Sequence, residues 1–133
     1  MTKLKEVVSS VNAPEAIGTY SQGIKVGDFV WLSGQIPLDP STMTIVGSDR
    51  GNVDAQIRQV FMNLRSVCEA SGGSLDNVIK LNIYLINMDF FSRVNEIMTE
   101  FFCEPFPARA AVGVSSLPKG ALIEAEAVLF LGN

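Results

Sequence analysis

Residues 105–130 read PFPARAAVGVSSLPKGALIEAEAVLF. The spacing predicts two strands joined by a loop. In the second, strict alternation puts Leu122, Glu124, Glu126 and Val128 on one face and Ile123, Ala125, Ala127 and Leu129 on the other. One face is wholly apolar, while the other mixes acid with hydrophobe. In the first strand, Arg109 is the only cation between Arg93 and Lys119, and it sits among Ala108, Ala110, Ala111 and Val112. A planar guanidinium among small residues suits bidentate capture of a carboxylate.

Working outward, residues 89–104 and 52–71 both read as amphipathic helices. In the longer one Ile57, Val60, Phe61, Leu64, Val67 and Cys68 recur at helical spacing, with Asn52 as N-cap and Gly72-Gly73 as the stop. In the shorter one the stripe is Phe90, Val94, Ile97, Met98 and Phe101, Asp89 is the expected cap, and Asn95 lies off the stripe. Pro105 and Pro107 end it. Between the helices, Ile79, Leu81, Ile83 and Leu85 alternate with Lys80, Asn82 and Tyr84, predicting a half-buried strand.

Earlier in the chain, residues 4–9 read as a short strand and residues 11–14 as a turn. Residues 17–23, IGTYSQG, read as a loop that offers the Tyr20 ring and hydroxyl to a ligand or to the core. Two β-prone runs around Gly27-Asp28 predict a two-residue hairpin of type II′. The second run ends in Ser33-Gly34-Gln35, where Gly34 permits either a strand-end bulge or close approach of a ligand or chain. Residues 39–51 read as loop with one short strand.

The order β, hairpin, helix, β, helix, β, β predicts a single α+β domain over residues 1–133, a mixed sheet with two helices on one face. The mixed face of the last strand, with Leu122, Val128 and Phe130, is then too apolar for permanent exposure and implies burial against further copies of the chain.

Composition narrows the chemistry. The 133 residues include no histidine, which removes the commonest general base, the commonest zinc ligand and every Ser-His or Cys-His pair. Cys68 and Cys103 form no CxxC arrangement and read as two buried, reduced thiols. A net charge of -4 with scattered Lys and Arg argues against nucleic acid. The first dozen residues lack the apolar core of a signal peptide, and no apolar run reaches the ~20 residues that span a bilayer. A cytoplasmic protein with no membrane association is the expectation.

The segments IGTYSQG, WLSGQIP, VNEIMTEFF, FPARAAVGV and LPKGALIEAEAV, in that order and spacing, resemble the RidA (YjgF) family of reactive-intermediate imine deaminases. The resemblance covers nearly the whole chain. It implies a chorismate-mutase-like fold and a homotrimer with a central barrel-like core, with three equivalent sites in the clefts between subunits. The implied activity is hydrolysis of 2-imino and 2-enamino acids, such as 2-iminobutanoate and 2-aminoacrylate, to 2-keto acids and ammonia, without cofactor or metal. By matched position Arg109 binds the substrate carboxylate and Glu124 positions or activates water. Tyr20, Ser33, Gly34 and Asn95 line the pocket. Many members carry Cys two residues after the arginine where this chain has Ala111. Contact there falls to the backbone, so the change bears on rate and substrate range. Glu126 reads as a solvated or inter-subunit charge. The competing reading is a small-molecule binding module that uses the same pocket without turnover; a ribonuclease is poorly supported without histidine or a basic patch.

Overall fold

Alternation along residues 123–130 builds the centre of the sheet. In the computed structural model, which describes residues 4–48 and 51–132, strand β6 (Ile123–Phe130) buries Ile123, Ala125, Ala127 and Leu129 and leaves the residues between them half-buried. The other strands are β1 (Glu6–Val8), β2 (Gly23–Val26), β3 (Phe29–Gln35), β4 (Val78–Leu85) and β5 (Ala108–Gly113). They form one sheet in the order β1-β2-β3-β6-β4-β5. Only the β4–β5 pair is parallel, as the helical crossover between those strands requires.

Helix α1 (Val53–Ala70) starts where the Asn52 side chain accepts the Ala55 N–H at 3.1 Å. Its predicted stripe, Ile57 to Cys68, is fully buried. Helix α2 (Phe91–Phe101) buries Val94, Ile97 and Met98. Its start differs from the expected one. Asp89 lies inside a short 3-10 turn, Met88–Phe90, which Asn87 caps by accepting the Asp89 N–H at 2.9 Å, and α2 follows from Phe90 with no side-chain cap of its own. Asn87 meets that free N–H two residues ahead of it, so Asp89 becomes the capped residue.

Both helices contribute to one core on one face of the sheet, as predicted. Phe61 of α1 packs against Phe101 and Phe102, with ring centroids 5.5 Å away in each case. Two forked ion pairs stitch the helices together: Arg58 Nε and Nη2 meet Glu100 at 2.9 and 2.7 Å, and Arg93 Nε and Nη2 meet Asp54 at 2.9 and 2.8 Å.

The β2–β3 turn agrees with type II′. Val26 pairs with Phe29, Gly27 has φ +58, and Asp28 is not in the positive-φ region that type I′ would need. The strand expected at residues 4–9 is shorter, Glu6–Val8. The one expected within residues 39–51 reduces to a single bridge, Leu38 to Ile45, and Asp49 and Arg50 lie outside the described residues.

The face away from the helices is apolar toward the β2–β3–β6 end. Trp31 is 50 % exposed and Phe29 40 %, with Phe29 at 5.0 Å from the Phe130 ring. Toward β4 the same face turns polar, where Tyr84 pairs with Glu124 and Asn82 with Glu126. No helix among the described residues is long and apolar enough to cross a membrane.

Candidate functional site

Arg109 is fixed from three sides. Strand β5 is the end strand of the sheet, and its register aligns Arg109 with Leu81 and Ala111 with Ile83, both buried residues of the helix-facing side. There Arg109 Nη1 donates to Asn95 Oδ1 and lies 3.3 Å from Met98 Sδ, while Cζ sits 4.9 Å from the centre of the Phe91 ring. Asn95 is exposed and off the apolar stripe, as its spacing predicts, yet its side chain is committed to the arginine. Arg109, Asn95 and Met98 line a cleft of about 410 Å³, with Thr99, Phe106 and Pro107 as its remaining walls. Among the described residues, Arg109 Nε and Nη2 have no hydrogen-bond partner, so the guanidinium keeps two parallel donors unused.

Glu124 belongs to a second cleft, of about 460 Å³, that also takes in Tyr20, Ser33, Gly34, Ile17 and Lys119. A bulge builds it. Leu32 pairs with Ala127 and Gln35 with Ala125, so β3 advances three residues while β6 advances two, and the extra residue falls at Ser33-Gly34. The expected bulge and the expected close approach are one feature, because the Glu124 carboxylate fills the space beside Gly34 Cα. Ser33 closes the loop behind: its Oγ donates to the Ser21 carbonyl at 2.5 Å and its N–H to the Gln22 carbonyl at 2.9 Å. Tyr20 stays half-exposed at the cleft.

The electrostatics single out Glu124. Burial, and then the nearby charge of Glu126, hold its carboxyl above the ordinary carboxylate range. Tyr84 is likewise pushed up, first by burial and then by Glu126. Asn82 Nδ2 donates to Glu126 at 3.4 Å, so Glu126 is a half-buried member of a polar row across β4 and β6. Among the described residues, no three potential metal ligands gather at either cleft.

Of the residues predicted for the site, Tyr20, Ser33, Gly34 and Glu124 come together in one cleft and Arg109 and Asn95 in the other, with Ala111 two positions along β5 from Arg109. One protomer does not unite the two groups. Arg109 points to the helix side of the sheet and Glu124 to the open side. The two cysteines also separate. Cys68 is buried, and burial pushes its thiol up to about 12. Cys103 is exposed, contrary to expectation, because Phe102 takes the inward position at the end of α2 and turns its neighbour outward.

Sequence reasoning missed several supports. Gln22 is 4 % exposed, accepts the Ser10 N–H at 2.6 Å and donates to the carbonyls of Ser10 and Pro14 at 3.1 and 2.8 Å, pinning residues 10–14 behind the Tyr20 loop. Gln56, buried in α1, accepts the Leu122 N–H at 2.9 Å and so anchors the chain as it enters β6. Each is polar beside an apolar stripe or inside a polar loop, where periodicity carries no signal. Lys119 lines the Glu124 cleft from a left-handed turn (φ +57), which the flanking Pro118 and Gly120 only hint at.

The profile of one family, described as Endoribonuclease L-PSP, matches residues 10–130. The chain is 49 % identical over 127 residues to RutC family protein PH0854 of Pyrococcus horikoshii, covering 96 % of this chain and 98 % of that one. It is 42 % identical over 127 residues to a 2-iminobutanoate/2-iminopropanoate deaminase of Dermatophagoides farinae, covering 96 % and 97 %. Among solved structures, RidA from the Antarctic bacterium Psychrobacter sp. PAMC 21119 superposes with a TM-score of 0.88 at 45 % identity, over 94 % of this chain and 98 % of that one.

Proposed function

This chain belongs to the Endoribonuclease L-PSP (RidA) family, and from that premise we propose that it hydrolyses small 2-imino and 2-enamino acids to 2-keto acids and ammonia. The observation that carries the reading is the half-buried Glu124 carboxyl, held above its ordinary range in a cleft shaped by Gly34. A carboxylate so placed is a stronger base than one in water and can take a proton from an attacking water.

Arg109 supplies the other requirement. Its two unused donors match a carboxylate, the one group every such substrate carries. Water adds to C2 of the iminium as Glu124 accepts its proton, giving a carbinolamine. The proton returns to nitrogen, the carbinolamine hydroxyl gives its own proton to Glu124 as the C–N bond breaks, and ammonia leaves with the 2-keto acid behind. An enamine first takes a proton at C3 to become the same iminium. An iminium is already electrophilic, so orientation and one proton carrier suffice, and no histidine is required.

The site is completed between subunits of a homotrimer, with the Arg109 cleft of one protomer set against the Glu124 cleft of its neighbour. Two features support this. The groups lie on opposite faces of one sheet, and the open face exposes Trp31 and Phe29, which another copy would cover. The ribonuclease activity in the family's description finds less support, since the chain has no histidine and a net charge of -4.

A coupled assay tests the reading. Threonine dehydratase releases 2-iminobutanoate, and this protein should speed the appearance of 2-oxobutanoate. No acceleration, with 2-oxobutanoate still bound, would assign the clefts to ligand binding without turnover.

A further inference from the structure

We infer that Phe91 is a positioning residue for Arg109, a flat floor that holds the guanidinium so that its Nε–Nη2 edge, rather than its Nη1 end, meets the substrate carboxylate. The inference rests on the reading of Arg109 as the carboxylate contact.

A guanidinium offers a carboxylate two kinds of fork, one through Nε and Nη2 and one through Nη1 and Nη2. At Arg109 the second is spoiled, because Nη1 already donates to Asn95 Oδ1 and lies 3.3 Å from Met98 Sδ. Nε and Nη2 remain without a partner among the described residues. The chain itself shows what that edge does when a carboxylate is present. Arg58 meets Glu100, and Arg93 meets Asp54, through Nε and Nη2 in both cases, with N to O distances of 2.7–2.9 Å.

Asn95 and Met98 fix one corner of the Arg109 guanidinium but do not by themselves fix its plane. Phe91 supplies that constraint: its ring centre is 4.9 Å from Cζ, within the range where the negative face of the ring attracts a cation. The ring cannot readily give way. Phe91 is the first residue of α2 and packs against the core that α1 and the sheet share. A long, flexible side chain is thereby pre-ordered before ligand arrives, and the entropy of ordering it does not fall on binding.

The test keeps the shape of residue 91 and changes only its electrostatics. Phenylalanine at 91 is replaced in the full-length protein by mono-, di- and trifluorophenylalanine, which drain the ring face stepwise, and calorimetry reads the Kd for 2-oxobutanoate. Binding should weaken at each step, reaching about 2- to 5-fold with the trifluoro side chain. A packing role alone predicts a flat series, and a flat series beside an Arg109→Ala variant that has lost binding overturns the proposal. If Arg109→Ala binds 2-oxobutanoate within twofold of wild type, the carboxylate reading of Arg109 fails, and the role of Phe91 with it.

Discussion

Gly34 lies where any side chain would collide with Glu124: a Cβ at position 34 overlaps Glu124 Oε2 and comes to 3.1 Å from its Cδ. The colliding atoms are the far end of a flexible side chain, so the carboxylate, not the backbone, would yield. Gly34→Ala should therefore cut kcat for 2-iminobutanoate by about 10-fold or more through misplacement of the base, while Tm moves by only a few degrees (~1 kcal/mol). Steady-state kinetics beside a thermal melt separate the two effects; an unchanged kcat would mean that the carboxylate tolerates displacement.

The pH profile should report the environment of Glu124. Its base form exists above its raised pKa, so kcat/KM falls as pH drops through a value higher than that of an ordinary carboxylate. After burial, Glu126 is the second cause of that rise. Glu126→Gln should thus move the acid limb to lower pH with little loss at neutrality, whereas Glu124→Gln should abolish the limb along with most of the turnover and leave 2-oxobutanoate binding intact. An acid limb that stays put in Glu126→Gln would contradict the coupling.

Arg109→Ala should lower kcat/KM by about 10- to 100-fold, the loss expected of one charge-assisted carboxylate contact. Arg109→Lys should recover little, since an ammonium cannot present two parallel donors and cannot keep both the Asn95 contact and a fork. Agreement of all three proteins within twofold would remove Arg109 from the mechanism.

Light scattering at micromolar concentration should give the mass of three chains. Trp31, half-exposed on the open face beside Phe29, is the position to challenge. Trp31→Glu should dissociate the assembly and, with it, abolish turnover. A wild-type monomer that still hydrolyses the imine would show that one protomer is enough.

Thiol alkylation should leave activity intact. The Cys68 thiol, buried and pushed up to about 12, is protonated at any working pH, and exposed Cys103 lines neither cleft. Mass spectrometry should find one modified cysteine, Cys103, in fully active protein. Inactivation tracking the modification of Cys103 would place that residue nearer the chemistry than its position beyond α2 suggests.

Much of this was legible in the sequence wherever a local rule applies. The alternation of β6, the buried stripe of α1, the Asn52 cap and the Gly27-Asp28 turn each depend on near neighbours, and each has the predicted form. What escaped depends on distant pairing. That Arg109 and Glu124 face opposite sides follows from the register of β5 and β6 on β4, which no periodicity within either strand encodes. Gln22 and Gln56 escaped because a buried amide is recognised only once its backbone partners, at Pro14 and Leu122, are in place. The resemblance implies one pocket for these residues, set between subunits, and within a single chain they lie in two separate clefts.

The strand order carries a consequence for how the molecule is made. β6 is translated after the other five strands, yet it lies in the middle of the sheet, paired to β3 on one side and β4 on the other. At about 5–20 residues per second, β3 and β4 are made seconds before β6, and until it arrives each lacks the neighbour it has in the finished sheet. Such edges pair readily with other chains, so this is the interval in which chaperones matter most. The strand that joins β3 to β4 is also the one that carries Glu124. Completing the sheet and setting the Glu124 carboxyl beside Gly34 are therefore a single event.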